Sequence, residues 1–159
     1  MITRTNHIVA FALAALILSS GTAFAGDVIY PGSSCQSTHE KIDYSVRGSV
    51  ANSDLDNERR VVCPIIKHNP ADLTLDSVTV FLRDEHSSRD IECNVIAHDM
   101  DGNDFDVSPT VATTGSGSTA QILQMASVQG AQDGYYTLQC TLPRKQTLRS
   151  HVLSYIVTE

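Results

Sequence analysis

The side chains best suited to hold a cation lie in "HDMDGNDFD", residues 98–106, where Asp99, Asp101, Asn103, Asp104 and Asp106 surround Gly102. Calcium takes roughly six to eight oxygen ligands, which clustered Asp and Asn side chains and loop carbonyls can supply. The spacing departs from an EF-hand, because the glycine comes early and the closing Glu is missing. Asp-Gly and Gly-Asn are also favoured hairpin dipeptides. The stretch therefore reads as a solvated turn, with calcium as the alternative ligand.

Five histidines follow residue 25: His39, His68, His86, His98 and His151. None stands at metal spacing from another histidine or from a cysteine. His86 beside Asp84 and Glu85, and His98 beside Asp99, would suit a general base if the fold set either in a cleft. Exposed turn histidines are the commoner case. No G-x-S-x-G elbow occurs, so a hydrolase site would have to be assembled from distant residues. "TTGSGST", residues 113–119, lacks the lysine and helix of a phosphate loop. No catalytic or cofactor-binding residue is assigned from these patterns.

The four cysteines, Cys35, Cys63, Cys93 and Cys140, are even in number, and no close C-x-x-C pair occurs. That parity in an exported chain reads as two disulfides. Cys93 and Cys140 each fall on the apolar side of an alternating segment, and Cys35 lies in the loop "PGSSCQST". The expected pairing is Cys35–Cys63 and Cys93–Cys140, one of three connectivities open to four cysteines.

These residues must be carried by strands. "DSVTVFLRD" alternates Val78, Val80 and Leu82 with Thr79, Phe81 and Arg83. "DIECNVIAH" aligns Ile91, Cys93, Val95 and Ala97, and "GYYTLQCTLP" aligns Tyr136, Leu138, Cys140 and Leu142. A period of two marks half-buried strands. Residues 42–52, "RRVVCPII", "DFDVSPTVAT", "TAQILQMASVQ" and "LRSHVLSYIVTE" read the same way. Pro64 removes an amide donor, which places its segment at a sheet edge or a bulge. "ANSDLDNERR" has room for a short helix. Turn residues separate all these segments. The expected fold is all-β, an antiparallel β-sandwich of jelly-roll or immunoglobulin-like type with about eight strands; an open barrel is the runner-up. Tyr135 and Phe81 fall opposite the apolar stripes, as a small aromatic platform or as cover for a second face.

The N-terminus carries Arg4, an apolar run and "AFA" before Gly26, the three parts of an export signal over residues 1–25. A single β-sandwich domain is expected over 26–159. Residues 1–25 contain one Arg and no acid, so removing them takes the formal charge from −7 to about −8. An acidic surface repels phosphate backbones and anionic lipids, so neither nucleic acid nor membrane insertion is expected of the processed chain.

"VVCPI", "IECNV", "YYTLQCTLP" and the terminal Ser154-Tyr155-x-Val157-x-Glu159 together resemble a group of small secreted bacterial proteins of uncharacterised activity. The resemblance covers most of residues 26–159. It implies a two-disulfide β-sandwich and brings no site residue or cofactor. The expectation for function is an exported, non-catalytic binding or structural domain of unknown partner. The alternatives are a calcium-assisted carbohydrate- or surface-ligand-binding module and a hydrolase with a cryptic site.

Overall fold

A computed structural model describes residues 26–69 and 71–159. The export signal read over residues 1–25 lies outside them. The described residues form thirteen strands: β1 (Val28–Pro31), β2 (Ile42–Tyr44), β3 (Val50–Asn52), β4 (Arg59–Ile65), β5 (Thr74–Leu75), β6 (Ser77–Arg83), β7 (Glu92–His98), β8 (Asp104–Val107), β9 (Val111–Ala112), β10 (Gln121–Met125), β11 (Val128–Gln129), β12 (Tyr135–Leu142) and β13 (His151–Thr158). The count exceeds eight because residues 42–52 break into a hairpin, with Gly48 at φ 85°, and because three bridging strands have only two residues each.

Every pairing is antiparallel. One sheet runs β10-β6-β13-β3-β2, with β1 also on β13; the other runs β4-β12-β7-β8, with β9 also on β7. A small β5–β11 ribbon stands apart. The alternating stripes face inward as expected: Val78, Val80, Leu82, Val95, Ala97, Leu138 and Cys140 are wholly buried, and Val50, Val61, Val152, Tyr155 and Val157 join them. Burying one such Val or Leu stabilises by roughly 1.5–3 kcal/mol. Tyr155 reaches from β13 across the core, its hydroxyl donating to the Pro64 carbonyl at 2.6 Å. Gly32 lies against β13, where a Cβ would stand 2.2 Å from the Val152 carbonyl oxygen, so only glycine lets the two backbones approach.

Both expected disulfides form, Cys35–Cys63 and Cys93–Cys140. Cys93 and Cys140 are direct cross-strand partners on β7 and β12. The second bond therefore ties neighbours within one sheet rather than joining the two sheets. Pro64 sits on β4, an edge strand, where its missing amide costs no ladder bond.

One end of the sandwich is closed by buried polar side chains. No helix forms over residues 51–60. Instead Asn52 and Asp54 turn inward. The Asn52 amide donates to the carbonyls of Asn57, Leu142 and Pro143. Asp54, inaccessible to solvent, accepts from the Asp56 amide, Arg59 and Lys41. The Asp56 amide holds the Asp54 carboxyl well below the usual carboxylate range, and Arg59 and Lys41 add to this against the opposing effect of burial. Asp84 is equally buried and has no cationic partner within ion-pair distance among the described residues. Its carboxylate accepts from the amides of His86 and Ile91 and the hydroxyls of Thr113 and Ser150. The Ile91 amide would keep Thr113 Oγ1 at 2.9 Å, but the other three donors would lose a buried acceptor, so Asp84→Ala is expected to lower the unfolding free energy by about 3 kcal/mol or more. Urea denaturation checks this, and an unchanged midpoint would remove Asp84 as the closure of that end.

Candidate functional site

Paired residues on antiparallel strands share a face, so register alone fixes a row across the outside of the six-stranded sheet. Arg83 on β6 opposes His151 on β13, His151 opposes Ala51 on β3, and Ala51 opposes Asp43 on β2. The row spans four strands, about 14 Å at ordinary strand spacing. Ala51 keeps its middle low. Glu85, Lys145, Thr147, Leu148 and Arg149 rise along it from the adjoining loops and bound a groove of about 760 Å³. A second hollow of about 270 Å³ shares Arg83, His151, Ser45 and Ser49 and adds Arg47 and Leu153. Tyr44 pairs with the wholly buried Val50, so at the sheet edge its half-exposed ring belongs to the inner side, away from the floor row.

Arg149 pairs with Asp43 across the groove. Arg83 makes no ion pair among the described residues, and its Nε is enclosed without a partner. Burial first, then the charges of Arg83 and Arg149, hold His151 below its ordinary pKa, with Glu85 acting in the opposite sense. At neutral pH the groove floor therefore presents a charged guanidinium beside a neutral imidazole.

The residues singled out in sequence fall elsewhere. His98 lies on the outer face of the five-stranded sheet, with Nε2 2.9 Å from Thr137 Oγ1; Nδ1 lies 3.3 Å from Asp104 Oδ1 but without the alignment of a hydrogen bond, and has no hydrogen-bond partner among the described residues. The order Thr–His–Asp has the outline of a hydrolytic triad. However, His98 is 8% exposed, Tyr135 stacks on its ring at 4.6 Å, and neither His98 nor Thr137 lines any of the larger clefts. The contacts read as anchors that fix Tyr135. Tyr135 and Phe81 belong to different sheets and face opposite sides of the molecule, so they form no common platform.

His86 lines a cleft of about 560 Å³ with Asp56, Glu58, Arg59, Ser88, Arg89 and Arg144. The Ser88 amide points at Nδ1 from 3.3 Å, which makes Nδ1 the acceptor and places the proton on Nε2. Nε2 is itself enclosed with no partner among the described residues. Such a ring keeps no free lone pair for general-base work. The charges around it are largely matched to one another: Arg89 with Glu58 at 3.0 Å, and Arg59 with Asp54.

The acidic loop is a hairpin tip between β7 and β8. Asp99 Oδ1 accepts from the amides of Asp101 and Asn103, and Oδ2 accepts from Asn103 Nδ2 at 3.0 Å. The Asn103 side chain and amide hold its carboxyl below its ordinary value. Gly102 takes φ 85° at the turn, the left-handed region that a glycine enters freely. Asp104 faces His98, and Asp106 accepts from the amides of Val107 and Gln129. Among the described residues no three acidic, His or Cys side chains gather as a metal-holding group. Sequence reasoning missed the groove, because its floor is one residue from each of four separate strands. The odd-position Arg83 in an otherwise apolar and hydroxylic strand was the one local signal.

No protein-family model matches the chain, and no curated protein matches it in sequence. Solved structures do. A family 6 carbohydrate-binding module is 11% identical, with 83% of this chain and 93% of that one covered and a TM-score of 0.48. The catalytic domain of Agl-KA is 11% identical, with 97% and 30% covered and a TM-score of 0.51. A family two carbohydrate esterase from Cellvibrio japonicus is 7% identical, with 84% and 33% covered and a TM-score of 0.49. The chain spans about a third of the length of the last two. The chain's two antiparallel sheets make it a β-sandwich, and the likeness to the Agl-KA domain stops at the fold.

Two outcomes follow from this geometry. In an NMR titration His151 is expected to protonate below the usual histidine value of about 6.5. Arg83→Ala, which removes a neighbouring positive charge, is expected to raise that midpoint; an unmoved midpoint would separate the two side chains. Melting curves in EDTA and in millimolar calcium are expected to superimpose, since the Asp99 and Asp106 carboxylates already accept backbone amides. A calcium-dependent rise abolished by Asp101→Ala would make the loop a metal site.

Proposed function

We propose that the protein is an exported, non-catalytic binding domain and that its ligand is a carbohydrate chain lying across the outer face of the six-stranded sheet. The observation that carries this reading is the groove itself. It is long, open and shallow, and it crosses β6, β13, β3 and β2 on a floor of Arg83, His151 and Ala51. An apolar ligand would want an enclosed, hydrophobic cavity. Here guanidinium, imidazole, hydroxyl and carboxylate groups line a surface that stays wet, which suits a hydroxyl-rich chain bound by many polar contacts. Carbohydrate is also the ligand class of the family 6 module of similar outline.

Export is supported by the leader-like residues 1–25 and by the two disulfides, which persist in oxidising compartments. The non-catalytic reading is supported by His86, whose lone pair is engaged, and by His98, which lies under Tyr135. Among the described residues no helix is long and apolar enough to cross a membrane.

Affinity electrophoresis against a panel of soluble polysaccharides tests the proposal. At least one is expected to retard the protein, and Arg149→Ala, which removes a guanidinium from the groove wall, is expected to weaken that binding several-fold. Retardation unchanged in Arg149→Ala and in Arg83→Ala would place the ligand away from the groove. No retardation by any member of the panel would overturn the carbohydrate reading.

A further inference from the structure

We infer that the groove is selective for acidic saccharides, with the Arg83 guanidinium gripping a carboxylate or sulfate group on the sugar. The inference deepens the carbohydrate reading above and rests on it. Three observations support it independently of any relative.

The first is the state of Arg83. Among the described residues Arg59 holds Asp54, Arg89 pairs with Glu58 and Arg149 pairs with Asp43, while Arg47, Arg60 and Arg144 are unpaired but exposed, so Arg83 alone is both unpaired and partly buried. Arg83 is half-buried, enclosed at Nε and without an ion pair among the described residues. A partly desolvated cation costs free energy until an anion reaches it. A planar guanidinium takes a carboxylate or sulfate through two parallel N–H donors.

The second is where the positive charge collects. Residues 26–159 hold ten Lys and Arg, and four of them, Arg47, Arg83, Lys145 and Arg149, line the groove and its adjoining hollow. This occurs in a chain of formal charge −7. A local cationic patch on an acidic protein raises the nearby concentration of anions.

The third is what tempers the patch. Asp43 and Glu85 also line the groove, and His151 is neutral at pH 7. A nucleic acid, which brings one charge per ~1.7 Å of duplex, would press phosphates against both carboxylates. An acidic saccharide spaces its charges by whole sugar rings. One acid group can sit on Arg83 while hydroxyls meet Asp43, Glu85, Ser45, Ser49 and His151. The floor of about 14 Å suits several rings better than a free ion.

Isothermal titration of the purified protein decides this with four probes of equal length: a uronic-acid oligosaccharide, a sulfated oligosaccharide, a neutral oligosaccharide and a single-stranded oligonucleotide. The expected result is that one or both acidic sugars bind, more weakly as salt rises, and the neutral sugar binds at least about tenfold more weakly. The carboxylated and sulfated arms tell the two acid groups apart. Arg83→Ala is expected to lose at least about tenfold for the acidic sugar, and Arg83→Lys to recover only part of it, while both variants melt as the parent does. Arg47→Ala, at the exposed rim, is expected to lose less and provides a second reading if Arg83 variants fail to fold. Equal binding of neutral and acidic sugars would overturn the charge selectivity and leave the carbohydrate reading standing. Acidic-sugar binding that neither Arg83→Ala nor Arg47→Ala weakens would also overturn it. Binding of the oligonucleotide alone, or of no probe, would overturn both.

Discussion

A carboxylate buried without a cation has to be surrounded by donors, and Asp84 imposes that requirement on four chain segments at once. The His86 amide follows β6, the Ile91 amide precedes β7, Thr113 follows β9 and Ser150 precedes β13. Segments from both sheets therefore meet at one pair of oxygens. Hydrogen bonds to a charged acceptor are stronger than neutral ones and more directional than apolar contact. Ser150 is the residue before His151, and Asp84 is the residue after Arg83. The bond between them sets the end of β6 against the start of β13, which aligns the groove floor. The Ser150 hydroxyl also accepts the Glu85 amide at 3.1 Å and tightens the same corner. The outer surface of the sheet inherits its order from a polar knot inside it.

The covalent links are distributed unevenly. Cys93–Cys140 lies between β7 and β12, and Cys35–Cys63 attaches the segment before β2 to β4. Neither touches β6, β13, β3 or β2. The sheet that carries the groove is held by side-chain packing, by Tyr155 reaching to Pro64, and by the Asp84 and Asn52 contacts. Apolar packing alone would tolerate small sliding of one sheet on the other. The buried polar contacts do not, since each fixes a particular pair of atoms.

Much of the architecture was legible in the sequence because a period of two is a direct record of which face is buried. Val78, Val80 and Leu82, and likewise Tyr136, Leu138, Cys140 and Leu142, point inward as the alternation requires. The Cys93–Cys140 pairing followed from their place on such stripes, and the loop residue Cys35 was left for Cys63. Pro64 marked an edge. What alternation does not record is which strands become neighbours. The groove depends on Arg83, His151, Ala51 and Asp43 meeting across three strand pairings, and no local pattern joins positions so far apart. Asp54 and Asp84 were hidden for a related reason: in sequence both sit among turn residues and look solvated, yet the fold supplies donors that make their burial tolerable. The "HDMDGNDFD" stretch misled in the opposite direction. Its carboxylates look free in sequence, but a tight turn places amides and an Asn side chain directly against Asp99.

The pairing of β1 with β13 has a mechanical meaning. Val28 lies beside Val157, so the start of one strand and the end of the other leave the sandwich at the same corner. Tension applied through the flanking residues would load the hydrogen bonds of that ladder one after another rather than all together. Peeling of this kind yields at low force. It would run along β1 through Tyr30 and Pro31 and stop at Cys35, where the bond to Cys63 passes the load to β4 and β12. Under strain the domain would thus lengthen by one short strand and then hold, with the groove sheet losing β1 but keeping β6, β13, β3 and β2. Single-molecule extension would register this as a small early step followed by a stiff plateau, and a single high-force rupture would contradict it.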